Sequence, residues 1–322
     1  MAAPSDAPGA RLVFLRELCP EDLEATLTEE VQAWRGELSW DFTPSADLVR
    51  RFVGMQALNG HALLIGGQTA GYCYFVFDEH KGLIGDLYVR RAFSSPLHEN
   101  MLLEAAVGEL MDSPFLRRIE AQLLMLRAPF RTGLPRQDYL TVFERNFMIA
   151  DLGDVAALPP PPGAGRLEIL NWSEGVEEET ARLIATAYQD HIDAQVNDQY
   201  RSAAGARRFL SNIIQYPGCG SFLPEASFLA FERGAGRLIG VCLSSRVAAD
   251  AGHITQVCVA PDWKGRGAGY ELMRRALASL AACGCLRASL TVTAANQKAV
   301  RLYERIGFRT LRRFAAYVWD GF

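Results

Sequence analysis

The sequence predicts two α/β domains in tandem, and three observations support this prediction. The two halves of the 322-residue chain begin with similar strand candidates, at residues 11–15 and 166–170, and each strand leads into an acidic helix start. Four consecutive prolines, 159–162, lie near the middle of the chain. They favour a stiff extended spacer, because proline fixes φ and lacks a backbone N–H. Short strand-like apolar segments and amphipathic helices follow in both halves.

The two halves correspond further along the chain. Strands starting at Gly71 and Gly240 match each other, and each is followed by a strand ending in valine, Val89 or Val259. The glycine-to-valine spacing is 18 in the first half and 19 in the second. A divergent internal duplication is one interpretation, and two unrelated α/β domains with chance matches are the other. We expect the first domain at 1–151, a linker at 152–165 and the second domain at 166–322.

Composition limits the classes of function. A hydrophobic share of 49% and a charged share of 22% are typical of a soluble globular protein. The net charge of -4 predicts no general affinity for nucleic acid. The first ten residues lack the features of a signal peptide, and no apolar segment is long enough to span a bilayer, so we expect a cytoplasmic protein without a membrane partner. Seven scattered cysteines favour buried free thiols over a metal site.

A glycine-rich turn in the second half carries the strongest chemical signal. The strand-like residues 254–259 precede Lys-Gly-Arg-Gly-Ala-Gly at 264–269, and apolar residues then recur at helical spacing. A strand, a glycine-rich turn and a helix N-terminus together form an anion site, since successive N–H groups can point at one phosphate. The dinucleotide-binding fingerprint Gly-x-Gly-x-x-Gly, if it started at Gly265, would need a glycine at 270, where this chain has Tyr270. The Gly-Lys-Ser/Thr ending of a P-loop is also absent. A purely structural turn is the alternative.

A second motif lies on a later helix. Asn296 is a good N-cap after the strand candidate 289–293, and Gly307 suits the position that ends a helix. Tyr303 falls on the apolar face between them, directed at the sheet. Core packing alone would also explain this tyrosine.

These two motifs resemble the GNAT superfamily of N-acyltransferases, whose members carry a similar glycine loop and an Asn-led helix ending in Tyr-x-x-x-Gly-Phe. The resemblance implies that each half is a mixed α/β fold with a central, mainly antiparallel sheet flanked by helices. It implies acetyl-CoA as co-substrate, direct transfer to a primary amine of a small molecule or peptide, and no metal. The implied cofactor-binding residues are Cys258, Val259, Lys264, Gly265, Arg266, Gly267, Ala268, Gly269 and Asn296. The tandem plan is similar to that of the mycothiol synthase family.

The resemblance also implies catalytic roles. Tyr303 would protonate the leaving thiolate, and the backbone N–H of Cys258 would stabilise the oxyanion. The family often places a Glu six residues before the valine at 259, where this chain has His253. Since histidine titrates near neutral pH, we predict His253 as the base that accepts the proton of the amine, with a purely structural histidine as the alternative. Thr291 occupies another family base position and is a poor base.

The acceptor site and the first half complete the predictions. Asp190, Asp193 and Asp198 could hold an ammonium group, or they could form a solvated face. The first half has no glycine at 91–99, and we align Phe143 with Tyr303. Pro96 removes a donor, and Glu99 would add a carboxylate near the phosphates. We therefore expect one acyl-CoA site per chain, and a non-catalytic acyl-CoA sensor or interaction module is the alternative function.

Overall fold

The protein folds as two compact units in a computed structural model that describes residues 9–153 and 158–322. The N-terminal unit comprises the described residues up to Glu144 together with Phe314–Phe322, and the C-terminal unit is Arg145–Arg313. Residues 1–8 of the predicted first domain and residues 154–157 of the predicted linker lie outside the described residues.

The N-terminal unit contains one sheet and three helices among its described residues. In chain order its elements are β1 (Ala10–Phe14), α1 (Pro20–Leu38), α2 (Thr43–Gly54), β2 (Asn59–Ile65), β3 (Gln68–Asp78), β4 (Lys81–Val89), α3 (Pro96–Met111) and β5 (Arg118–Leu123). The C-terminal strand of the chain, β13 (Arg309–Asp320), pairs with β5 through Ala315 to Asp320 and completes the order β1-β2-β3-β4-β5-β13.

The C-terminal unit has the same plan. Its elements, which continue in chain order, are β6 (Leu140–Asp151), β7 (Leu167–Asn171), α4 (Glu177–Ala187), α5 (Asp193–Val196), α6 (Ala203–Gln215), β8 (Ser221–Phe222), β9 (Phe228–Glu232), β10 (Leu238–Ala248), β11 (Ala251–Val259), α7 (Ala268–Ala282), β12 (Arg287–Thr293) and α8 (Gln297–Ile306). The strand order is β7-β9-β10-β11-β12-β6, and the short β8 pairs with β10.

Three details of pairing recur in both units and support the interpretation as a duplication. Each sheet is antiparallel except for one central parallel pair, β4–β5 or β11–β12. Each parallel pair is in register over four residue pairs, ending at Ile84↔Ala121 or Ile254↔Leu290. Each also has a register shift in the preceding antiparallel pair. The predicted fold class, a mainly antiparallel mixed sheet flanked by helices in each of two tandem domains, is confirmed.

The two compact units do not coincide with the two halves of the sequence. The strand β6 ends the first half of the sequence, but its residues from Arg145 onward pair with β12 of the C-terminal unit. The strand β13 ends the second half, but it completes the sheet of the N-terminal unit. Each unit therefore takes its last strand from the other half of the sequence, and the boundaries predicted at 151 and 166 do not coincide with those of the units.

Each unit has its own apolar core, and the exchanged strand contributes to it. Ala315, Tyr317 and Trp319 of β13 belong to the core of the N-terminal unit. Met148 and Ala150 of β6 belong to the core of the C-terminal unit. Fully burying a large apolar side chain stabilises a fold by about 1.5–3 kcal/mol, so the exchanged strands contribute strongly to both units.

A pair of carboxyl groups is buried in the N-terminal unit. The side chains of Glu30 and Asp86 hydrogen-bond to each other, and Glu30 also accepts hydrogen bonds from the Tyr72 hydroxyl at 2.7 Å and from Trp34 Nε1 at 3.3 Å. Burial and the negative charge of Asp86 raise the pKa of Glu30 well above its ordinary value, and burial raises the pKa of Asp86. The pair therefore retains a proton in the folded state that the unfolded chain releases.

As pH rises, we expect the free energy of unfolding of the wild type to fall more steeply than that of Asp86→Asn. A raised carboxyl pKa stabilises the fold most below the unfolded pKa, and this contribution is lost as pH rises toward the folded pKa, by at most about 1.4 kcal/mol per pH unit for one proton. The Asn oxygen can still accept the Leu87 N–H, as Asp86 does at 2.8 Å, while its amide donates to Glu30 without proton uptake. Urea unfolding between about pH 5.5 and 8 measures the difference. The exposed Asp138→Asn is the control, and parallel pH dependences of wild type and Asp86→Asn would contradict the expectation.

Candidate acyl-CoA site

A cleft opens in the C-terminal unit where β11 and β12 diverge. The two strands pair only as far as Ile254 and Leu290. Beyond this point the ends of both strands, 255–259 and 291–292, form walls of a cleft of about 1910 Å³. Backbone polar groups at the divergence are therefore available to a ligand instead of to a neighbouring strand.

The glycine loop lies at one end of this cleft. Gly265 and Gly267 have φ angles of +79° and +88°, a region that glycine adopts without steric cost. Gly267 is the N-cap of α7, so the first N–H groups of that helix have no intrahelical partner and lie at its positive end. Gly267 and Gly269 line the cleft, whereas the side chain of Ala268 packs into the core. The loop thus has the geometry of an anion site.

The two basic side chains of the loop have protein partners. Lys264 Nζ donates to the carbonyl of Ala187 at 3.2 Å, at the end of α4. The guanidinium of Arg266 lies 5.5 Å from the centre of the Trp263 ring. Both residues line the cleft, so their charges face the same space as the glycine loop.

Charge is strongly segregated in the cleft wall. Among the described residues Asp193 supplies the one carboxylate of this wall. The cationic residues of the cleft wall are Arg166, Lys264, Arg266, Lys298, Arg301 and Arg305. In a chain of net charge -4 this excess of positive charge fits a ligand carrying several phosphates.

The proline segment forms another part of the wall. Pro159–Pro162 and Gly163 line the cleft, although their composition alone predicted a spacer. A Cβ atom at Gly267 would lie 3.1 Å from Cβ of Pro161, so this segment packs directly against the glycine loop. Sequence reasoning missed this contact, because nothing in a proline run indicates which surface it packs on.

Helix α8 has the capping that the sequence predicts. The Asn296 side chain accepts from the N–H of Ala299 at 3.3 Å, and Gly307 ends the helix with φ of +107°. Tyr303 lies on its buried face and lines the cleft. Burial, with smaller effects from Cys242 and Asp193, raises the pKa of Tyr303 above its ordinary value, so its hydroxyl keeps the proton at neutral pH.

Cys258 and Val259 line the cleft at the end of β11. Burial raises the pKa of the Cys258 thiol to about 12, although the charge of Lys264 opposes this shift. The thiolate is therefore scarce at neutral pH, which disfavours the sulfur as a nucleophile. Like the other six cysteines it is free.

The structure separates His253 from the cleft. Its side chain is buried, its Nδ1 lies 2.9 Å from Ser289 Oγ, and its ring stacks on Phe147 at 6.3 Å. The cleft wall begins at the next residue, Ile254, and does not include His253. Burial lowers the pKa of His253 to about 3. Both observations argue against the predicted role as base, because the ring lies outside the cleft wall and a histidine with so low a pKa binds a proton weakly near neutral pH.

Of the three predicted acceptor-site acids, only Asp193 lines the cleft. Asp190 is exposed in a left-handed turn, and Asp198 lies in the short helical turn before α6. The oxygens of Asp193 already have protein neighbours. Thr293 Oγ1 donates to Oδ1, Arg145 Nη1 lies 3.9 Å from the same oxygen, and His191 Nδ1 lies 3.6 Å from Oδ2. Asp193 therefore organises a polar cluster rather than presenting a free carboxylate.

Tyr188, His191 and Gln256 lie together in the polar part of the cleft and were not among the predicted site residues. Tyr188 donates from its hydroxyl to Gln256 Oε1 at 3.2 Å, and its ring meets His191 edge-on at 5.1 Å. Burial raises the pKa of Tyr188 well above its ordinary value. Tyr188 and His191 lie in the same polar and aromatic segment as the predicted acids Asp190, Asp193 and Asp198. Gln256 lies in the middle of an apolar strand and gave no signal before the strands were seen to diverge.

The corresponding turn of the N-terminal unit differs in its charge. After β4, the carboxylate of Glu29 accepts from the backbone N–H of Arg91 at 2.6 Å and lies 3.3 Å from Arg90 Nε. Glu99, which was predicted to lie near the phosphates, pairs with Arg131 at 3.1 Å and accepts from the backbone N–H of Arg127 at 3.0 Å. A carboxylate thus lies on the turn after β4, just before the segment that corresponds to the glycine loop.

The alignment of Phe143 with Tyr303 is wrong. Phe143 lies on strand β6, and no α-helix occurs among the described residues between β5 and β6. The N-terminal unit therefore lacks a counterpart of α8 altogether, rather than carrying a phenylalanine on it.

Metal-binding clusters and membrane-spanning helices are both missing from the part of the chain that the structure describes. Within residues 9–153 and 158–322, no group of three or more His, Cys, Asp or Glu side chains could hold a metal ion. Over the same ranges, no helix is long and apolar enough to cross a membrane.

Residues 191–308 match the family model of the acetyltransferase (GNAT) family. The chain is 32% identical over 190 residues to a mycothiol acetyltransferase of Thermobifida fusca, and the aligned segment covers 55% of each protein. It is 32% identical over 101 residues to N-alpha-acetyltransferase MAK3 of Arabidopsis thaliana, which covers 30% of this chain and 52% of the relative. The chain thus spans about half the length of these curated relatives.

Solved structures of similar fold cover nearly the whole chain. A GCN5-related N-acetyltransferase from Sphaerobacter thermophilus superposes with a TM-score of 0.68 at 19% identity, covering 98% of this chain and 96% of that one. A tandem GNAT protein from the clavulanic acid biosynthesis pathway superposes with a TM-score of 0.56 at 12% identity, covering 97% and 98%. Residues 191–308 therefore match the GNAT acetyltransferase domain, and the whole chain has the fold of these solved tandem and single-chain GNAT structures.

Proposed function

We propose that the C-terminal unit transfers an acetyl group from acetyl-CoA to a primary amine of a small molecule or peptide. One observation carries this proposal: the glycine loop, six cationic side chains and Tyr303 line a single cleft at the point where β11 and β12 diverge. The loop and the cations suit a pyrophosphate, and the divergent strand ends suit the extended arm of coenzyme A. The names of the relatives, a mycothiol acetyltransferase and an N-alpha-acetyltransferase, agree with acetyl transfer.

Each part of the cleft has its own role in this reaction. The bound co-substrate supplies the activated acyl group as a thioester. The N–H groups at the start of α7, with Lys264 and Arg266, hold its phosphates, and a backbone N–H near Cys258 faces the acyl oxygen. Tyr303 keeps its proton at neutral pH and donates it toward the departing sulfur. A separate group must take the proton of the amine.

We propose one such site per chain. The Glu29 carboxylate on the Arg91 N–H and the missing counterpart of α8 both argue against acyl-CoA binding by the N-terminal unit. Isothermal titration with coenzyme A is expected to give a stoichiometry of one per chain. A second binding event of similar affinity would contradict this.

Turnover separates the proposed enzyme from the alternative, a non-catalytic acyl-CoA sensor. The full chain is incubated with acetyl-CoA and a panel consisting of an α-amino acid amide, a tripeptide, glucosamine and spermidine, and acetylated amines are detected by mass spectrometry. The proposal expects enzyme-dependent acetylation of at least one amine. Tight coenzyme A binding without acetylation of any panel amine would favour the sensor.

A further inference from the structure

We infer that His191, held by Asp193, is the base that accepts the proton of the acceptor amine. This inference rests on the proposed function and deepens it. His191 lines the cleft, as do Asp193 and Asn296, which flank its ring. It is half-buried, with 25% of its side chain exposed, so a substrate can reach it.

The ring of His191 has a defined environment on both nitrogens. The backbone nitrogen of Asp193 lies 3.2 Å from Nδ1, and the Asp193 carboxylate lies 3.6 Å from the same atom. The side-chain Nδ2 of Asn296 lies 3.3 Å from Nε2. A neutral imidazole has one lone pair and one ring N–H, so it can accept a hydrogen bond from only one of these two N–H groups. Because the side-chain oxygen of Asn296 accepts from the Ala299 N–H, its amide NH₂ faces Nε2. This favours the tautomer with the lone pair on Nε2 and the proton on Nδ1, on the side of the Asp193 carboxylate. In this tautomer Nε2 can accept a proton.

The surroundings of the ring have opposing effects on its pKa. Burial and the positive charge of Lys264 lower the pKa of His191, while Asp193 opposes them. Once the ring is protonated, the Asp193 carboxylate stabilises the imidazolium. Asp193 is itself fixed through Oδ1, by Thr293 of β12 and by Arg145 of β6 at 3.9 Å, which leaves Oδ2 for His191. Tyr188 packs edge-on against the ring and remains protonated because burial raises its pKa.

The position of His191 suits transfer between the amine and the thioester. Asn296 begins α8, the same helix that carries Tyr303 into the cleft. The amine nitrogen bonds to the acyl carbon while its N–H proton passes to Nε2 of His191, directly or through one water. The C–S bond breaks, and the sulfur takes the proton of the Tyr303 hydroxyl. Tyr303 regains a proton from solvent, and His191 releases one, so protons balance over the cycle.

Kinetics of His191→Gln test the inference, with acetyl-CoA and the panel amine that the wild type acetylates fastest. We expect kcat/KM to fall about 100-fold and its decline on the acidic side to disappear, because glutamine cannot take the proton. Affinity for coenzyme A, measured by titration, should stay within about twofold. Asp193→Asn should shift the acidic decline to lower pH, because losing the carboxylate lowers the pKa of His191. His80→Gln, on a turn of the N-terminal unit, is the control for loss of a histidine.

Nuclear magnetic resonance of the protein without ligand gives a second readout. The ring of His191 should titrate below the ordinary pKa of a histidine, and still lower in Asp193→Asn. Unchanged kcat/KM and pH profile in His191→Gln would overturn the inference, as would loss of the acidic decline in His253→Asn alone. Absence of coenzyme A binding or of any acetylation by the wild type would instead overturn the proposed function, and the inference with it.

Discussion

Replacing Tyr303 by phenylalanine is expected to lower kcat on the order of 10³-fold while leaving the affinity for coenzyme A unchanged. The ring of Tyr303 packs in the core of the C-terminal unit, and its edge meets Phe308 at 6.1 Å between ring centres. Phenylalanine keeps these contacts and removes only the hydroxyl. Water cannot easily replace the lost donor, because Tyr303 is 7% exposed. The loss of activity should therefore exceed that of His191→Gln, because the side chain of His191 is 25% exposed and water can reach its place.

The pH dependence of Tyr303→Phe distinguishes a proton donor from a packing residue. Burial raises the pKa of Tyr303 above its ordinary value, so the hydroxyl stays protonated throughout a range of about pH 6–9. The loss of kcat should therefore be the same across this range. Tyr270→Phe removes a hydroxyl from the same cleft wall on α7 and is the matched control. A kcat within about threefold of wild type in Tyr303→Phe, with normal thermal stability, would exclude the role.

The parts of the site that sequence predicted are those that depend on local chemistry. The glycine loop needs left-handed residues at a helix start, and Gly265 and Gly267 adopt that conformation. Helix α8 needs an N-cap and a terminating glycine, and Asn296 and Gly307 act as predicted. Such signals lie within a few residues of the feature that they specify, so no tertiary information is required.

The parts that sequence did not predict depend on which segments meet in space. The spacing to Val259 pointed to His253, but the part of β11 that lines the cleft begins one residue later, at Ile254. His191 follows α4 and belongs to no motif, yet the loop brings it to the N-cap of α8. The exchange of β6 and β13 is equally invisible, because similar strands could complete either sheet and local sequence does not choose between them.

Replacing Gly267 by aspartate is expected to weaken coenzyme A binding at least about 100-fold, a loss of about 2.7 kcal/mol. Three effects act in the same direction. The φ of +88° costs a residue with a Cβ about 1–2 kcal/mol. That Cβ would lie 3.1 Å from Pro161, so the proline segment would have to shift. The carboxylate would lie at the N-terminus of α7, where the phosphates are proposed to bind, and the two negative charges would repel each other.

The chain offers a matched control for this variant. Gly284 has φ of +85°, a Cβ added to it would meet no atom within 4 Å, and it lies outside the cleft wall, after the end of α7. Gly284→Asp therefore carries the same backbone strain and charge without touching the loop, and it should bind coenzyme A normally. Gly267→Ala separates strain from charge and should show an intermediate loss that does not vary with salt. If Gly267→Asp binds coenzyme A as tightly as Gly284→Asp, the phosphates do not lie on this loop, and the cationic wall from Lys298 to Arg305 must hold them instead.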